Sequence, residues 1–327
     1  HLAGSLGATD LILALHAEMN SPEDKILFDV GHQSYAHKLI TGRYENFGSL
    51  RKQGGISGFP SPPESEHVIY YSGHASDSLS VAAGLSEARR LENKNYHIAA
   101  VIGDASIGGG MAFEALNIIG QAEQQMLIVL NDNRMSIAPN VGALNKHLLN
   151  FRTSKQYRET TKQIKRMLSH ENVVLRNIHK FAHFSKESIK NVAMPKSPIF
   201  EKLGIVCTPP IDGHDITAMR SVFREALKFD GPILVHVVTK KGKGYAPAEE
   251  NPELFHGIGP FDKETGQLIE KKQVRSAPAD VERHNCLTFT QAFSKALVNE
   301  ARENEDIVAI TCAMKGGTGL TEFQKVY

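Results

Sequence analysis

Cysteine is scarce in this sequence. The three cysteines, Cys207, Cys286 and Cys312, lie far apart and form no C-x-x-C pair. Because even sets of cysteines mark disulfide frameworks and close pairs mark structural zinc sites, neither feature is indicated. A chain that needs no disulfides fits most simply in a reducing cytoplasm.

Excess charge and long apolar runs are also missing. The chain has 37 Lys and Arg against 36 Asp and Glu, a formal net charge of +1. Such a balance gives no global attraction to nucleic acid or to an anionic membrane. No apolar run approaches the roughly 18–20 residues that a membrane helix needs. We therefore expect neither nucleic acid nor a membrane among the partners.

What the chain does have is length and apolar content. Its 327 residues, of which 41% are hydrophobic, predict about two domains at roughly 150 residues each. It begins at His1 without a methionine and stops at Tyr327 soon after an apolar run, so we expect a piece of a longer polypeptide. A bacterial cytoplasmic protein is the simplest interpretation, and a plastid location stays open because a leader could precede His1.

Short apolar runs alternate with helical patterns along the chain. Strands are predicted at Ile26–Asp29, His97–Ile102, Met126–Asn131, Ile205–Cys207, Ile233–Thr239 and Ile307–Thr311. Helices are predicted at Asp10–Met19, Ser34–Ile40, Ser78–Leu91, Met111–Gln121, Ile216–Phe229 and Thr290–Glu303, after a turn of small residues in HLAGSLGATD. Runs that are apolar throughout predict an α/β fold, in which a parallel sheet carries helices on both faces.

Composition also divides the chain. We predict an α/β domain over residues 1–241, an interdomain linker rich in Gly, Pro and charge over 242–288, and the start of a second, similar domain over 289–327. Within the first domain, the Lys-, Arg- and His-rich residues 146–198 predict an irregular, mobile segment such as a flap.

The stretch VIGDASIGGG, residues 101–110, indicates a ligand site. A strand, a Gly-rich loop and a helix usually bind phosphate, because backbone N–H groups and the helix N-terminus attract anions. The loop has no lysine of the G-x-x-x-x-G-K-[ST] type, and the Asp104 carboxylate would repel a bare phosphate. A cation lying between Asp104 and the phosphate would remove that repulsion.

The next predicted strand runs into NDNRMSI, which supplies further oxygen atoms. A right-handed crossover places the Asn131–Asn133 turn beside Asp104 at the carboxyl edge of the sheet, where open α/β sheets bind ligands. A carboxylate, an amide oxygen and a backbone carbonyl suit Mg²⁺, which often keeps phosphate oxygens as partners. Ordinary turn chemistry explains the same residues equally well on spacing alone.

The segments GDASIGGGMAFEALNIIG and LNDNRMSIAPNVGAL, with Asn133 29 residues after Asp104, resemble the thiamine diphosphate motif of the 1-deoxy-D-xylulose-5-phosphate synthase family. Other segments similar to that family are HLAGSLGATDLILALH, LFDVGHQSYAHKLITGR, GGISGFPSPPESEH, SGHASDSLSVAAGL, PPIDGHD, HVVTKKGKGYAPAEENPELFHGIGPFD and VAITCAMKGGTGL. The resemblance covers nearly all of the chain except about residues 150–200. It implies a diphosphate-binding domain of the transketolase-like superfamily, followed by the start of a pyrimidine-binding domain.

The resemblance implies three sets of site residues. The Mg²⁺ ligands would be the Asp104 carboxylate, the Asn133 side chain and the Met135 backbone oxygen. Contacts to thiamine diphosphate would come from His32, Gly73, His74, Ala75, Ala105, Ser106, Asn133 and Tyr245. The catalytic residues, which handle substrate and protons, would be His1, His74 and Lys241. Taken singly, each histidine is more often structural, and the KKGK stretch with Lys240 and Lys241 is by default a solvated turn.

The family's reaction condenses pyruvate with D-glyceraldehyde 3-phosphate, releases CO₂ and forms 1-deoxy-D-xylulose 5-phosphate, a precursor of isoprenoids, thiamine and pyridoxal. The resemblance thus implies a transferase that needs thiamine diphosphate and Mg²⁺ and works as a homodimer. Another thiamine diphosphate enzyme, such as a transketolase, would share Asp104 and Asn133 but not GHQSYAHK or GGISGFP. A non-catalytic cofactor-binding paralogue is the alternative outside enzymes.

The chain departs from the family pattern at three points. The usual Gly-Asp-Gly ends here in Ala105, which has a cost if that position needs a positive φ or a close approach of the phosphate. The usual GHSSTS contains Ala75 and Asp77, which remove a hydroxyl and add a negative charge near an anionic cofactor. The family's catalytic glutamate and phosphate-gripping residues are expected beyond Tyr327, so the chain alone is predicted to be inactive.

Overall fold

The computed structural model describes residues 1–136, 140–153, 198–269, 287–312 and 314–327. The chain forms two compact units, His1–Met135 with Val141–Gly257, and Ser136–Asn140 with Ile258–Tyr327. The bounds predicted for the two domains and the linker stay predictions. Most of the segment predicted to be mobile, residues 154–197, lies outside the described residues.

The first unit contains all six described strands and most of the helices. In chain order its elements are α1 (Leu2–His16), β1 (Lys25–Phe28), α2 (Tyr35–Lys38), α3 (Ser78–Leu91), β2 (Ile98–Gly103), α4 (Gly110–Gln121), β3 (Met126–Asp132), α5 (Ala143–Thr153), α6 (Pro198–Lys202), β4 (Val206–Cys207), β5 (Ile211–Asp212), α7 (Ile216–Leu227), β6 (Pro232–Val238) and α8 (Ala246–Glu250). The second unit contains α9 (Phe289–Glu303) and α10 (Thr321–Val326). Among the described helices, none combines the length and the apolar character that a membrane crossing requires.

The strands form one parallel sheet in the order β1-β2-β3-β6-β4, with β5 also pairing with β6. The register pairs Gly103 with Asn131 and Asp132 with Val238. The carboxyl ends of β2, β3 and β6 therefore lie side by side at one edge of the sheet. This arrangement confirms the predicted parallel sheet.

Helices cover both faces of the sheet, as predicted. Alternate strand residues point to opposite sides and form two cores. On one face β2 and β3 pack against α1 and α7 through buried residues such as Val101, Val129, Leu11 and Phe223. On the other face the same strands pack against α3 and α4 through buried residues such as Ile102, Leu130, Leu79 and Leu116.

The first helix begins at Leu2, so the prediction that it starts at Asp10 was wrong. Its small residues serve close contact rather than a turn. A Cβ added to Gly4 would lie 3.0 Å from His32 Cδ2, and a Cβ added to Gly7 would lie 2.8 Å from the Lys240 carbonyl oxygen. Small residues show no apolar periodicity, and for that reason the sequence pattern hid this part of α1.

The strand predicted at Ile307–Thr311 is not formed. Val308 is 80% exposed and Ile310 is 91% exposed, and no described strand pairs with this segment. An apolar run becomes a strand only where a neighbouring strand satisfies its backbone groups, and the run itself does not encode that neighbour.

Candidate active site

The carboxyl edge of the sheet collects polar residues from three strands. Asp104 follows β2, and its backbone N–H donates to the Asn131 carbonyl oxygen at 3.3 Å. The Asn131 side chain at the end of β3 donates to Gln33 Oε1 at 2.9 Å and accepts from Thr239 Oγ1 at 2.6 Å. These bonds tie the loop after β1, the end of β3 and the end of β6 together, and all of the candidate site lies in the first unit.

Two carboxyl groups are buried together at this edge. Asp104 is 6% exposed and Asp132 is 3% exposed. Burial and the neighbouring charge of Asp132 raise the pKa of Asp104 to about 8. On its far side, Asp132 Oδ2 accepts a hydrogen bond from His236 Nε2 at 2.8 Å. A hard divalent cation would offset the repulsion between these carboxylates, so the residues present fit Mg²⁺.

The turn after β3 contains the other predicted metal ligands, Asn133 and Met135. Asn133 Oδ1 accepts the Met135 N–H at 3.0 Å, and Arg134 between them has a left-handed φ of 65°. An amide oxygen has two lone pairs, so Asn133 Oδ1 can hold the turn and still ligate a cation. Among the described residues no group of three or more His, Cys, Asp or Glu side chains could hold a metal. A cation here would therefore depend on mixed carboxylate, amide and carbonyl oxygens.

The Gly-rich loop after Asp104 accommodates its unusual alanine. Ala105 is exposed and has φ −75° and ψ −43°, which any residue adopts without strain. Ser106, which is half-buried, starts a short 3₁₀ turn, and α4 begins at Gly110. The loop therefore leads into a helix N-terminus, the kind of position where backbone N–H groups bind anions. The backbone strain expected if position 105 needed a positive φ therefore does not arise.

The segment with Gly73, His74 and Ala75 is exposed and lies against the Gly-rich loop. The link is Ser76, whose Oγ donates to the Ser106 carbonyl oxygen at 2.7 Å. Two segments that were predicted to contact the cofactor are thus neighbours.

Asp77, the acidic departure from the family pattern, is half-buried. It accepts a hydrogen bond from the Tyr70 hydroxyl at 3.3 Å. Burial, followed by the negative charge of Asp29, raises the pKa of Asp77. The environment therefore disfavours the charge that the sequence adds here.

Three imidazole rings form a cluster at the start of α1. The His1 ring centroid lies 5.3 Å from that of His32 and 5.2 Å from that of His256, and His1 Nδ1 donates to the His256 carbonyl oxygen at 3.0 Å. Sequence reasoning missed His256, although it stands in the family-like stretch ELFHGIG. His74, by contrast, is exposed, and the structure shows no ring contact between it and this cluster.

Burial sets the charge of this cluster. It lowers the pKa of His32 to about 3, with smaller contributions from the charges of His256 and Lys241. It lowers the pKa of His256 to about 4, helped by the charge of Lys241. Both rings are therefore neutral at pH 7. Among the described residues, the buried Nδ1 atoms of His32 and His256 have no hydrogen-bond partner, so both are available to a ligand.

The two lysines after β6 differ sharply. Lys241 is 5% exposed, and burial lowers its pKa to about 8, although the negative charges of Asp104 and Glu253 oppose the shift. Lys240 is exposed and pairs with Glu249. The backbone N–H of Lys240 donates to His214 Nε2 at 2.8 Å, which gives the PPIDGHD segment a part in positioning this turn. The structure therefore brings Lys241 to the site and turns Lys240 to solvent.

Tyr245, predicted to contact the cofactor, is half-buried at the start of α8. Its ring makes an edge-to-face contact with Phe255, with 5.6 Å between centroids. Because Phe255 precedes His256, this contact joins the Tyr245 segment to the histidine cluster.

Comparisons with known proteins show the family to which this chain belongs. The family model for 1-deoxy-D-xylulose-5-phosphate synthase matches residues 1–239. A relative of that name from Pelotomaculum thermopropionicum is 48% identical over 330 residues, which cover 100% of this chain and 49% of the relative. One from Heliobacterium modesticaldum is 46% identical over 327 residues, which cover 100% of this chain and 48% of the relative. The chain thus spans about half the length of the curated relatives it matches.

Solved structures of transketolases share the fold. The Campylobacter jejuni transketolase superposes with a TM-score of 0.54 at 19% identity, covering 76% of this chain and 35% of that one. A transketolase mutant from Pichia stipitis gives a TM-score of 0.50 at 17% identity, covering 73% and 33%. At such identities the likeness shows the fold alone. On the sequence matches, the chain belongs to the 1-deoxy-D-xylulose-5-phosphate synthase family and corresponds to the N-terminal part of its members.

Proposed function

We propose that the full-length protein is a transferase that condenses pyruvate with D-glyceraldehyde 3-phosphate, releases CO₂ and forms 1-deoxy-D-xylulose 5-phosphate. The observation that carries this proposal is the convergence of Asp104, Lys241 and the histidine cluster at the carboxyl edge, in a chain of this family. The product would feed isoprenoid, thiamine and pyridoxal synthesis. We further propose a cytoplasmic homodimer.

Asp104, the Asn133 side chain and the Met135 carbonyl would hold Mg²⁺. The backbone of Ala105 and Ser106, the segment Gly73–Ala75 with His74, and the side chains of His32 and Tyr245 would hold thiamine diphosphate. The buried carboxylates and the unpartnered His32 Nδ1 support this assignment. When bound, the cofactor supplies the carbon nucleophile that protein side chains lack.

The histidines would handle protons. His1 and the neighbouring His256 offer imidazole nitrogens for this purpose, and at pH 7 the His256 ring is neutral because burial lowers its pKa to about 4. His74 has the same chemistry at the diphosphate loops, where we assign it to a second proton transfer.

Lys241 would bind an anionic group of the substrate. With a pKa of about 8 it remains mainly protonated at pH 7, and its burial strengthens its attraction to a carboxylate or a phosphate. The negative charge of Asp104 opposes the lowering of the Lys241 pKa, so Asp104 favours the protonated lysine at the carboxyl edge of the sheet.

The test is a product assay on the full-length protein with Mg²⁺, thiamine diphosphate, pyruvate and glyceraldehyde 3-phosphate. Mass spectrometry should detect deoxyxylulose phosphate from the wild type. Asp104→Ala should reduce its formation at least about 100-fold, a typical loss for an essential electrostatic contact. Asp230→Ala, which removes an exposed carboxylate before β6, is the matched control and should match the wild type.

Other outcomes separate the alternatives. A protein that transfers two-carbon units between sugar phosphates, and forms no deoxyxylulose phosphate, would be a transketolase-like enzyme. A folded protein that binds the cofactor but forms neither product would be the non-catalytic paralogue, an outcome to which the acidic Asp77 would then point.

A further inference from the structure

A third buried aspartate at the carboxyl edge has no role in the chemistry above. Asp29 follows β1 and is 1% exposed. Its backbone N–H donates to the Val101 carbonyl oxygen at 2.8 Å, which continues the pairing of β1 with β2. Asp29 is therefore fixed to the sheet next to β2, the strand that Asp104 follows.

The Asp29 carboxylate is fully engaged with the segment that precedes and begins α3. Oδ1 accepts the Ser76 N–H at 2.9 Å. Oδ2 accepts both the Ser78 N–H at 3.2 Å and the Ser78 hydroxyl at 2.8 Å. Asp77, at the N-cap position of α3, makes no side-chain cap bond. Asp29, which follows β1, thus supplies the hydrogen-bond acceptor that the N-terminus of α3 needs.

Ser76 connects this anchor to the Gly-rich loop. Its Oγ donates to the Ser106 carbonyl oxygen at 2.7 Å. A Cβ added to Gly109 would lie only 2.1 Å from that Oγ, so the two segments touch without a gap. Ser76 has a φ of 76°, a left-handed conformation that non-glycine residues keep only where the surroundings hold it.

We propose that Asp29 and Ser76 form a clamp that positions the 73–78 segment against the 104–110 loop and so sets the width of the diphosphate site. The chain of contacts runs from Asp29 through the Ser76 N–H to the Ser76 hydroxyl and then to Ser106. Both are positioning residues, since they act through the two loops. The assignment of a ligand to the clamp rests on the proposed cofactor site, but the clamp itself is a property of the protein alone.

The first test measures cofactor binding by the full-length protein. Thiamine diphosphate is titrated calorimetrically into Ser76→Ala with excess Mg²⁺, and turnover is measured at saturating cofactor. We expect the Kd to rise about tenfold, the size of one lost hydrogen bond, while kcat changes less than about threefold. Ser86→Ala, a buried serine further along α3, is the control and should leave the Kd unchanged.

A residue that only stabilises the fold would give a different result. Ser76→Ala would then lower the Tm and leave the Kd at the wild-type value, and this outcome would overturn the clamp. Equal losses of affinity in Ser76→Ala and Ser86→Ala would also overturn it.

The second test needs no cofactor. Hydrogen exchange followed by mass spectrometry should show faster exchange across 73–78 in Asp29→Asn and faster exchange across 104–110 in Ser76→Ala. Unchanged exchange in both segments would refute the clamp. If Asp29→Asn does not fold, Ser76→Ala alone decides. If the wild type binds no thiamine diphosphate, the proposed function fails, and the exchange data still decide the clamp.

Discussion

At the residue scale, burial separates the roles of groups that would be alike in water. The two lysines of TKKGKGY have the same chemistry, but Lys241 is buried at the carboxyl edge of the sheet and Lys240 is exposed to solvent. His32 and His256 lose their charge through burial, whereas Lys241 mainly keeps its own at pH 7. The candidate site therefore combines two neutral imidazole rings with one buried, mainly protonated lysine.

The lysine pair gives a matched test at this scale. Lys241→Ala should lower kcat/KM of the full-length protein about 100-fold, because a buried charge-assisted contact is worth roughly 2–4 kcal/mol. Lys240→Ala should change it less than about threefold, since exposed ion pairs contribute little. Steady-state kinetics on both variants decide the matter, and equal losses would refute the assignment of Lys241.

At the scale of elements, α1 packs directly against two segments of the candidate site. Its glycines bring Lys240 and His32 close, and the Gly242 N–H donates to the Ala3 carbonyl oxygen at 2.8 Å. The turn that contains Lys241 is therefore held directly against the helix.

Two glycine-to-alanine changes test this contact. In Gly7→Ala the new methyl would meet the Lys240 carbonyl, so the turn must shift, and we expect activity to fall at least about tenfold because misplaced catalytic groups are costly. Gly84→Ala on α3 meets nothing within 4 Å and should instead stabilise the protein, by about 0.5–1 kcal/mol. Kinetics and thermal unfolding of both variants provide the measurement. Full activity in Gly7→Ala would show that α1 does not position the turn.

A second contact between elements predicts a pH dependence. His16 on α1 and His37 on α2 are joined by a hydrogen bond of 2.9 Å between Nε2 and Nδ1. Burial, with a contribution from His67, lowers the pKa of His16 to about 4. Burial, with a contribution from His16, holds the pKa of His37 well below its usual value. In both, the folded protein resists a proton that the unfolded chain accepts.

The sign follows from that difference. The unfolded chain takes up protons as the pH falls through about 6.5, so stability is present above that value and is lost toward pH 4. In His37→Asn the Tm should be lower at pH 7 but should fall less between pH 7 and pH 5, by about 2–4 °C less than in the wild type. Thermal unfolding followed by circular dichroism measures this. Parallel Tm profiles in both proteins would contradict the assignment.

At the scale of the whole molecule, the sequence predicted the sheet better than its surroundings. Buried parallel strands such as β2 and β3 are continuously apolar, and polar residues follow their carboxyl ends. The positions and the directions of these strands could therefore be predicted from the sequence. The early turns of α1 were not predicted, because their small residues are required by close contacts with Lys240 and His32 and show no apolar periodicity. The strand prediction at Ile307–Thr311 was wrong although the run is apolar, since no described strand pairs with it.

Only part of the candidate site could be predicted from the sequence. Motif spacing located Asp104 and Asn133 because strand ends must meet at one edge. Asp29 and His256 both lie in family-like segments, but their contacts were not predicted, because the partners of a single polar residue are set only when the chain folds. The pKa values of buried groups depend on the same three-dimensional surroundings.

In the proposed site, Asp104 holds a divalent cation, which in turn holds a diphosphate. The most direct measurement is calorimetric titration of thiamine diphosphate into the full-length protein, with Mg²⁺ and with a chelator. We predict binding with Mg²⁺, its loss with the chelator, and at least about 100-fold weaker binding in Asp104→Asn, since removing a metal ligand costs more than altering its supporting groups. Asp230→Asn, an exposed change before β6, should bind like the wild type. Equally tight binding in the chelator, or in Asp104→Asn, would contradict the account.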